Sequence, residues 1–239
     1  MPDLQPVNQL FYSSKVENGL VFLDEEESRH LLTVLRRQPG ERFHMTDGKG
    51  FLYVVELLET GKKTATARIL ETTQTPEPPA RLHIAIAPTK QMERFEWFLE
   101  KAVEVGIHTI TPLLCKRSER TTVRHDRIEK IVVSAMKQSL QTRLPVLNPL
   151  TPVAECVRRA AEPLRCIAWC GEDAQPQLSE LIRANTDTLV LIGPEGDFTP
   201  EEVTLAQAGG FVSVGLGPTR LRTETAGIVS VLAFHLGRK

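Results

Sequence analysis

Alternating hydrophobic and polar positions predict β-structure over most of the first 70 or so residues. The runs MTDGKGFLYVVELL and TATARIL have the character of strands, linked by an Asp-Gly turn and through ETGKK. One helix interrupts them, because Asp24 followed three residues later by Glu27 is an N-terminal capping signal. The apolar stripe of this helix consists of His30, Leu31, Val34 and Leu35, and Pro39-Gly40 ends it. Short strands with one helix predict a small β-barrel.

A polar, proline-rich segment, ETTQTPEPPARL at about residues 71–82, divides the chain. Several prolines in so short a segment are incompatible with a helix or a central strand. We therefore predict a first domain over residues 1–73 and a second over residues 74–239.

The second region alternates between strand and helix patterns. RLHIAIAP, HTITPLLC, CIAWC, TLVLIG and FVSVG are short apolar runs typical of a parallel sheet that is covered on both faces. Helices are predicted from about Lys90 to Val105, with Gly106 as terminator, and over HDRIEKIVVSAMKQS. Thr199, Pro200 and Glu202 form a further helix start with a capping box. The region is predicted to be α/β with a mostly parallel sheet.

Composition narrows the class of protein. With 239 residues, 41% of them hydrophobic and 25% charged, the chain is typical of a globular protein large enough to bury a core. No apolar run is long enough to span a membrane, and the N-terminus does not resemble a signal peptide, so we expect a cytoplasmic protein. The four cysteines, Cys115, Cys156, Cys166 and Cys170, are expected to be buried thiols, without a disulfide or a metal site.

Charge is unevenly distributed along the chain. The net charge is only −1, but residues 115–143 hold eight basic and three acidic side chains, whereas residues 144–208 hold ten acidic and four basic ones. A polyanion such as RNA would contact the first of these stretches. A solvated helix face that happens to be basic explains the same count equally well.

Two late segments carry the candidate chemistry. In each, a predicted strand runs into a glycine loop and then a helix: Gly193-Pro194-Glu195-Gly196 in the first and Gly215-Leu216-Gly217-Pro218 in the second. Ligands of α/β sheets bind at the carboxyl ends of strands, where glycine lets them approach the backbone. We expect these strands to be neighbours and Thr223 to cap the last helix, while Arg220 and Arg222 supply positive charge. An anion or nucleotide site and a plain tight turn are both compatible with this pattern, but dinucleotide and P-loop fingerprints are absent.

The pair IGPEGDFTPEE and LGPTRLRTETA strongly resembles the two C-terminal signatures of the RsmE family of SPOUT RNA methyltransferases. Three earlier segments resemble the same family in the same order: HLLTVLRRQPGERFHMTDGKG, APTKQMERFEWFLEKAVEVGIHTITPLLCKRSER and SAMKQSLQTRLPVL. The resemblance therefore extends over nearly the whole chain.

The resemblance implies a PUA-like β-barrel followed by a SPOUT α/β domain with a deep C-terminal trefoil knot, assembled as a homodimer. It implies S-adenosylmethionine (S-adenosyl-L-methionine) as cofactor and methylation of ring nitrogen 3 of a uridine in the 16S ribosomal RNA of the small subunit, with no metal. The cofactor residues that it implies are Leu191, Ile192, Gly193, Pro194, Glu195, Gly196, Leu216, Gly217, Leu221, Arg222, Thr223 and Ala226.

For the reaction itself, the resemblance and the chemistry of uracil suggest that Arg222 stabilises the uracil anion or positions its phosphate, while Glu224 or Glu195 handles the proton. For Glu224, a helix first-turn carboxylate without a catalytic role is an equal alternative. The expected RNA contacts are Arg36, Arg37 and Arg42 in the barrel and Lys116, Arg117, Arg120 and Arg124 in the second domain.

The chain departs from the family pattern at two places. No basic residue precedes Lys15, whereas relatives often carry an early arginine, and Asp197 stands where many relatives have a second glycine. We interpret Asp197 as a tolerated variant. Another RNA as substrate, and a ribosome-assembly factor that binds RNA without catalysis, remain alternatives at this point.

Overall fold

The computed structural model describes residues 7–61, 64–171 and 175–237, and the chain divides into two compact units. The first unit contains Met1–Glu77 together with Val133–Leu144, and the second contains Pro78–Val132 and Pro145–Lys239. The division near residue 77 lies within the predicted proline-rich break. The addition of residues 133–144 to the first unit was not foreseen from the sequence.

The first unit is built on a six-stranded sheet. Its strands, in chain order, are β1 (Leu10–Tyr12), β2 (Val16–Glu17), β3 (Leu20–Leu23), β4 (Arg42–Thr46), β5 (Phe51–Thr60) and β6 (Ala65–Gln74). They pair in the order β1-β4-β5-β6-β3-β2, antiparallel except for β1 with β4. Strand β6 continues to Gln74, so the break begins at residue 75 and not at residue 71 as predicted. Lys62 and Lys63 of the predicted ETGKK turn lie outside the described residues.

One short helix, α1 (Glu25–Arg29), enters this unit and continues as a π-helical turn over His30–Val34. The predicted cap is confirmed, because the Asp24 carboxylate accepts the Glu27 N–H at 2.8 Å. The predicted apolar stripe is only partly correct: Leu31 is buried, whereas Val34 is 66% exposed. The π-helical turn has a wider repeat than an α-helix, so the spacing that assumes 3.6 residues per turn fails after Leu31.

Residues 133–144 belong to the first unit through specific contacts. The Arg143 guanidinium donates to the carbonyls of Lys49 at 3.2 Å and Thr75 at 2.7 Å, and it forms an ion pair with Glu77. Gly50 has φ of +95°, a conformation that favours glycine, and a Cβ there would lie 2.5 Å from this guanidinium. These contacts are far apart in sequence, and local patterns could not reveal them.

The second unit is a parallel sheet with helices on both faces, as predicted. Its strands are β7 (Leu82–Ile86), β8 (Thr109–Leu114), β9 (Val146–Leu147), β10 (Thr151–Pro152), β11 (Leu164–Ala168), β12 (Thr188–Ile192) and β13 (Val212–Val214). The order is β10-β8-β7-β12-β11-β13, with β9 also paired to β8, and every pair is parallel.

In the described residues, five α-helices accompany this sheet, and a further helix, α3 (His125–Gln138), has residues in both units. They are α2 (Met92–Val105), α4 (Val153–Arg159), α5 (Leu178–Leu181), α6 (Pro200–Ala208) and α7 (Thr223–Gly237). Helix α2 ends at Gly106 with φ of 111°, which confirms the predicted terminator. Helices α2 and α7 pack together on one side of the sheet, while α4 and α6 cover an apolar core on the other. No helix in the described part of the chain is long and apolar enough to cross a membrane.

Candidate functional site

The carboxyl ends of β11, β12 and β13 lie side by side at one end of the second unit's parallel sheet. Strand β11 lies between the two strands that carry the glycine loops, because Ala168 is in register with Ile192 of β12 on one side and with Val214 of β13 on the other. The expectation that β12 and β13 are neighbours is therefore wrong. The loop after β11 becomes the middle part of the site.

The loop after β12 is a tight turn held by its own backbone. The Asp197 N–H donates to the Pro194 carbonyl at 2.9 Å. A Cβ at Gly193 would lie only 3.1 Å from the buried Phe198 ring, which explains the glycine. The predicted capping box is confirmed: the Thr199 hydroxyl accepts the Glu202 N–H, and the Glu202 carboxylate accepts the Thr199 N–H.

The loop after β13 exposes its backbone. The N–H and C=O groups of residues 216–221 form no hydrogen bond with another residue that the structure describes. Gly217 has φ of +124°, a conformation that favours glycine. Thr223 is the first residue of α7, and its hydroxyl donates to the Gly193 carbonyl at 3.1 Å. In place of the predicted cap, Thr223 therefore forms a hydrogen bond that joins the start of α7 to the loop after β12.

Together these loops surround a cavity of about 950 Å³. Of the predicted cofactor residues, those that line it are residues 192–196, Leu216, Gly217, residues 221–223 and Ala226. Leu191 does not line the cavity and is fully buried in β12. The wall that follows β11, with Trp169 and Cys170, and the nearby Gln175 and Gln177 were not among the predicted site residues. Ligands of α/β sheets bind at the carboxyl ends of strands, and the same argument applied to the strand CIAWC would have identified Trp169 and Cys170.

The cavity is suited to a nucleoside-sized ligand. Its volume is in the range of small-molecule sites, about 300–1,000 Å³. Apolar side chains such as Ile192 and Trp169 contribute to its walls, and the free backbone groups of residues 216–221 can bind the polar edge of a base. An α/β strand-end cavity of this composition fits an adenosine-containing cofactor.

The two predicted carboxylates differ in their environment. Glu195 is exposed on the cavity wall, where its Oε1 accepts the Lys90 backbone N–H at 3.0 Å. Glu224 is buried in the first turn of α7 and does not line the cavity. Only Glu195 therefore lies where a ligand in the cavity could reach it.

Besides Arg117, which is hydrogen-bonded to the loop after β12, positive charge at the cavity comes from Arg220 and Arg222. Both side chains belong to exposed residues of the cavity wall, and neither guanidinium has a hydrogen-bond or ion-pair partner among the described residues. An unpaired guanidinium is available for bidentate binding of a phosphate or an oxyanion.

Most of the predicted RNA-binding arginines of the second domain already have partners. Arg117 donates to the carbonyls of Gly196 at 2.9 Å and Phe198 at 3.3 Å, and so holds the loop after β12. Arg120 donates to the Lys90 carbonyl at 2.9 Å, and Arg124 forms an ion pair with the nearby Asp126 carboxylate at 2.7 Å. The exposed Lys116 side chain has no partner among the described residues.

In the first unit, the predicted RNA contacts are more accessible. Arg36 and Arg42 are exposed or partly exposed without a side-chain partner in the described chain, and Arg37 is 3.7 Å from the Glu41 carboxylate. An exposed pair of this kind contributes little and is easily exchanged for a phosphate contact.

The cysteine prediction is correct for three residues and wrong for the fourth. Cys115, Cys156 and Cys166 are buried, and burial raises the pKa of Cys156 and of Cys166 to about 12, so these thiols are unreactive. Cys170 is exposed because β11 ends two residues earlier, at Ala168. Within the described residues, no group of three or more His, Cys, Asp and Glu side chains is arranged to hold a metal ion.

Two family models match the chain. Residues 76–235 match an RNA methyltransferase domain, and residues 23–70 match an RNA methyltransferase PUA domain. Among named relatives, the "Ribosomal RNA small subunit methyltransferase E" of Synechocystis sp. is 32% identical, covering 91% of this chain and 73% of that protein. The protein of the same name from Mycobacterium tuberculosis is 29% identical, covering 94% and 90%.

Solved structures are similar over almost the full chain. A probable rRNA-methyltransferase from Porphyromonas gingivalis has a TM-score of 0.89 at 38% identity, covering 96% of this chain and 98% of that one. A Ribosomal RNA small subunit methyltransferase E from Neisseria gonorrhoeae, solved with S-adenosyl methionine bound, has a TM-score of 0.84 at 28% identity, with the same two coverages, 96% and 98%.

Proposed function

The chain belongs to the RNA methyltransferase family, and on that premise we propose that it methylates ring nitrogen 3 of a uridine in the 16S ribosomal RNA of the small subunit, using S-adenosylmethionine. The observation that carries this proposal is the cavity at the ends of β11, β12 and β13, with unpaired arginines in its wall. The names of the relatives support small-subunit RNA as the substrate. The resemblance of the two late motifs supports the uridine nitrogen.

The cofactor is held by the two glycine loops. The free backbone groups of residues 216–221 bind the adenine, and the turn at residues 193–196 forms the opposite wall. When bound, S-adenosylmethionine supplies the electrophilic methyl group. Ala226 and Thr223, in the first turns of α7, complete the wall with small side chains.

The residues of the cavity prepare the uracil. Nitrogen 3 carries a weakly acidic proton, and its loss places negative charge on nitrogen 3 and on the two neighbouring carbonyl oxygens. Arg222 stabilises that charge, because an unpaired guanidinium is a preorganised donor. Glu195 is the better candidate to accept the proton, since it lines the cavity and Glu224 does not. Glu224 then has the role of a first-turn carboxylate that interacts with the dipole of α7.

RNA binding is assigned to cations that remain free. Arg220 is placed to bind a phosphate next to the target uridine, and Lys116 is available on the same unit. The match of residues 23–70 to a PUA domain of RNA methyltransferases supports an RNA-binding role for Arg36, Arg37 and Arg42. Arg117 and Arg120 are weaker members of the set because they donate to backbone carbonyls, whereas the exposed ion pair of Arg124 with Asp126 can be exchanged for a phosphate contact as readily as that of Arg37.

The family resemblance supports three further parts of the proposal: a trefoil knot at the C-terminus, a homodimer and action in the cytoplasm, where ribosomal RNA is found. A homodimer also agrees with the surface of α7, where Leu232 is 39% exposed and Leu236 is 74% exposed. Sedimentation of the purified protein at several concentrations tests the dimer, and a mass of 26.7 kDa at all of them contradicts it.

Methyl transfer from labelled S-adenosylmethionine to purified 30S subunits that lack the modification tests the reaction. The expected product nucleoside, identified by mass, is 3-methyluridine. Label in another nucleoside, or only in transfer RNA or 50S subunits supplied in parallel, contradicts the proposed substrate. Cofactor binding without transfer to any RNA favours a binding role in ribosome assembly.

The role of Arg222 is tested by Arg222→Ala. We expect kcat to fall about 100-fold or more, the magnitude found when one donor to a developing oxyanion is removed, with little change in cofactor affinity. Arg158→Ala is the matched control, because Arg158 is also an exposed arginine of the second unit but does not line the cavity. Full turnover in the Arg222 variant refutes the assignment.

A further inference from the structure

The Asp197 carboxylate joins two walls of the cavity. Its Oδ2 accepts the Cys170 backbone N–H at 3.2 Å, and its Oδ1 accepts the N–H of Phe198 at 2.8 Å. Asp197 belongs to the loop after β12 and Cys170 to the loop after β11, and both residues line the cavity. We infer that Asp197 is a positioning residue for the cofactor, which fixes the wall formed by Trp169 and Cys170 against the glycine turn. This inference rests on the proposed function.

The backbone at Asp197 shows that the side chain is more than a substitute for glycine. Its φ is +61°, in the left-handed region that most side chains avoid. Glycine adopts this conformation without strain, whereas aspartate and asparagine adopt it with less strain than other residues. Aspartate at this position is therefore slightly unfavourable for the turn itself. The two hydrogen bonds accepted by its carboxylate offset that strain, and glycine could not accept either of them.

The other contacts between the walls do not replace this one. The loop after β13 is tied to the segment before α5, where the Gly215 N–H donates to the Pro176 carbonyl and the Leu178 N–H to the Gly215 carbonyl, each at 3.0 Å. Thr223 ties α7 to the loop after β12. Among the described residues, the Cys170–Asp197 hydrogen bond is the one that joins residues 169–171 to residues 193–198. Loss of this bond leaves the packing of Trp169 against the apolar core, which contains Phe198, as the contact between these two loops.

Two substitutions separate the hydrogen bond from the backbone conformation. Asp197→Gly removes the acceptor and relieves the strain, so the variant is expected to fold. Asp197→Asn tolerates the left-handed backbone but has a single acceptor oxygen, so it can accept the N–H of Cys170 or that of Phe198 and not both. We expect the Kd for S-adenosylmethionine, measured by calorimetry, to rise about ten-fold in the glycine variant, as loss of a charge-assisted hydrogen bond predicts. The Kd of the asparagine variant should lie between those of the wild type and the glycine variant, because at most one of the two hydrogen bonds is kept. At saturating cofactor, kcat should be unchanged in both.

A second measurement does not depend on the reaction. The chain has two tryptophans, and Trp97 is 45% exposed on α2, so Trp97→Phe leaves Trp169 as the single reporter next to Cys170. In this background and without ligand, we expect acrylamide to quench Trp169 more strongly in the glycine variant than in the parent.

The two measurements separate the inference from the proposed function. Increased quenching of Trp169 in the glycine variant supports the contact between the two walls, whether or not the protein binds S-adenosylmethionine. If the parent binds no S-adenosylmethionine, the proposed function is contradicted while that contact is still supported. Unchanged quenching and unchanged cofactor affinity in the glycine variant overturn the inference.

Discussion

Replacement of Gly227 by alanine tests whether the close packing of α7 determines the stability of the second unit. The small apolar residues of this helix permit close contact, and the structure places Gly227 against α2 and β7. A Cβ at this position would lie 2.5 Å from the Phe98 ring and 2.9 Å from Ile86 Cδ1. Both of those side chains are completely buried and have no space into which to move.

Two opposing effects decide the outcome. Alanine in a helix interior is about 1 kcal/mol more favourable than glycine. An added methyl group in a packed core costs about 1–3 kcal/mol. Carbon atoms prefer separations of about 3.5–4.0 Å, so the Cβ at Gly227 is roughly 1 Å too close to Phe98 and the cost lies near the top of that range. We therefore expect Gly227→Ala to lower the free energy of unfolding by about 1–2 kcal/mol.

Urea unfolding followed by tryptophan fluorescence is the appropriate assay, because Trp97 and Trp169 both belong to the second unit. We expect a lower midpoint with an unchanged m-value. Phe98→Leu removes part of the ring that a Cβ at residue 227 would contact. The double variant with Gly227→Ala should therefore lose less free energy of unfolding than the sum of the losses in the two single variants. A Gly227→Ala protein as stable as the wild type would mean that helix propensity outweighs packing at this contact, and the reasoning would be refuted.

Two further predictions follow from contacts in the second unit. Arg117→Ala should raise the KM for S-adenosylmethionine about five-fold, because Arg117 donates to two carbonyls of the loop after β12 at a partly exposed site. If instead the KM for RNA and its salt dependence change, Arg117 is an RNA contact. Burial of Glu162 opposes its ionisation, but hydrogen bonds from His83 and from backbone N–H groups outweigh burial, so its pKa lies below its ordinary value of 4.5. Glu162→Gln should therefore lower the free energy of unfolding by about 1 kcal/mol at pH 7. In urea titrations this difference from the wild type should vanish as the pH falls below 4.5 and through the folded-state pKa. A difference that does not depend on pH would contradict the charge argument.

Local signals in the sequence were sufficient for most helix ends. Gly106 after α2 and the Thr199–Glu202 box before α6 act through hydrogen bonds and dihedral angles within a few residues, so the sequence around them specifies the outcome. The glycine loops were found for the same reason. Each combines an apolar strand with residues suited to a tight turn, and both line the cavity.

Strand order, by contrast, is a property of the whole sheet. The insertion of β11 between β12 and β13 depends on pairing between segments about 20–50 residues apart, and no local pattern encodes it. As a result, the wall that contains Trp169 and Cys170 was missed, and Cys170 was assigned to the core. The membership of residues 133–144 in the first unit was missed for the same reason, since Arg143 contacts backbone carbonyls far away in sequence.

The basic stretch shows why a count of charges is a weak guide to an RNA surface. Residues 115–143 have five more basic than acidic side chains, yet Arg117 and Arg120 donate to backbone carbonyls. A guanidinium that is already hydrogen-bonded must lose those bonds before it can bind a phosphate. Arg220 and Arg222 lie outside that stretch and have no such partners in the described chain. Free donors at the cavity, and not the total charge of a segment, are therefore the feature that favours binding of a nucleic acid at this site.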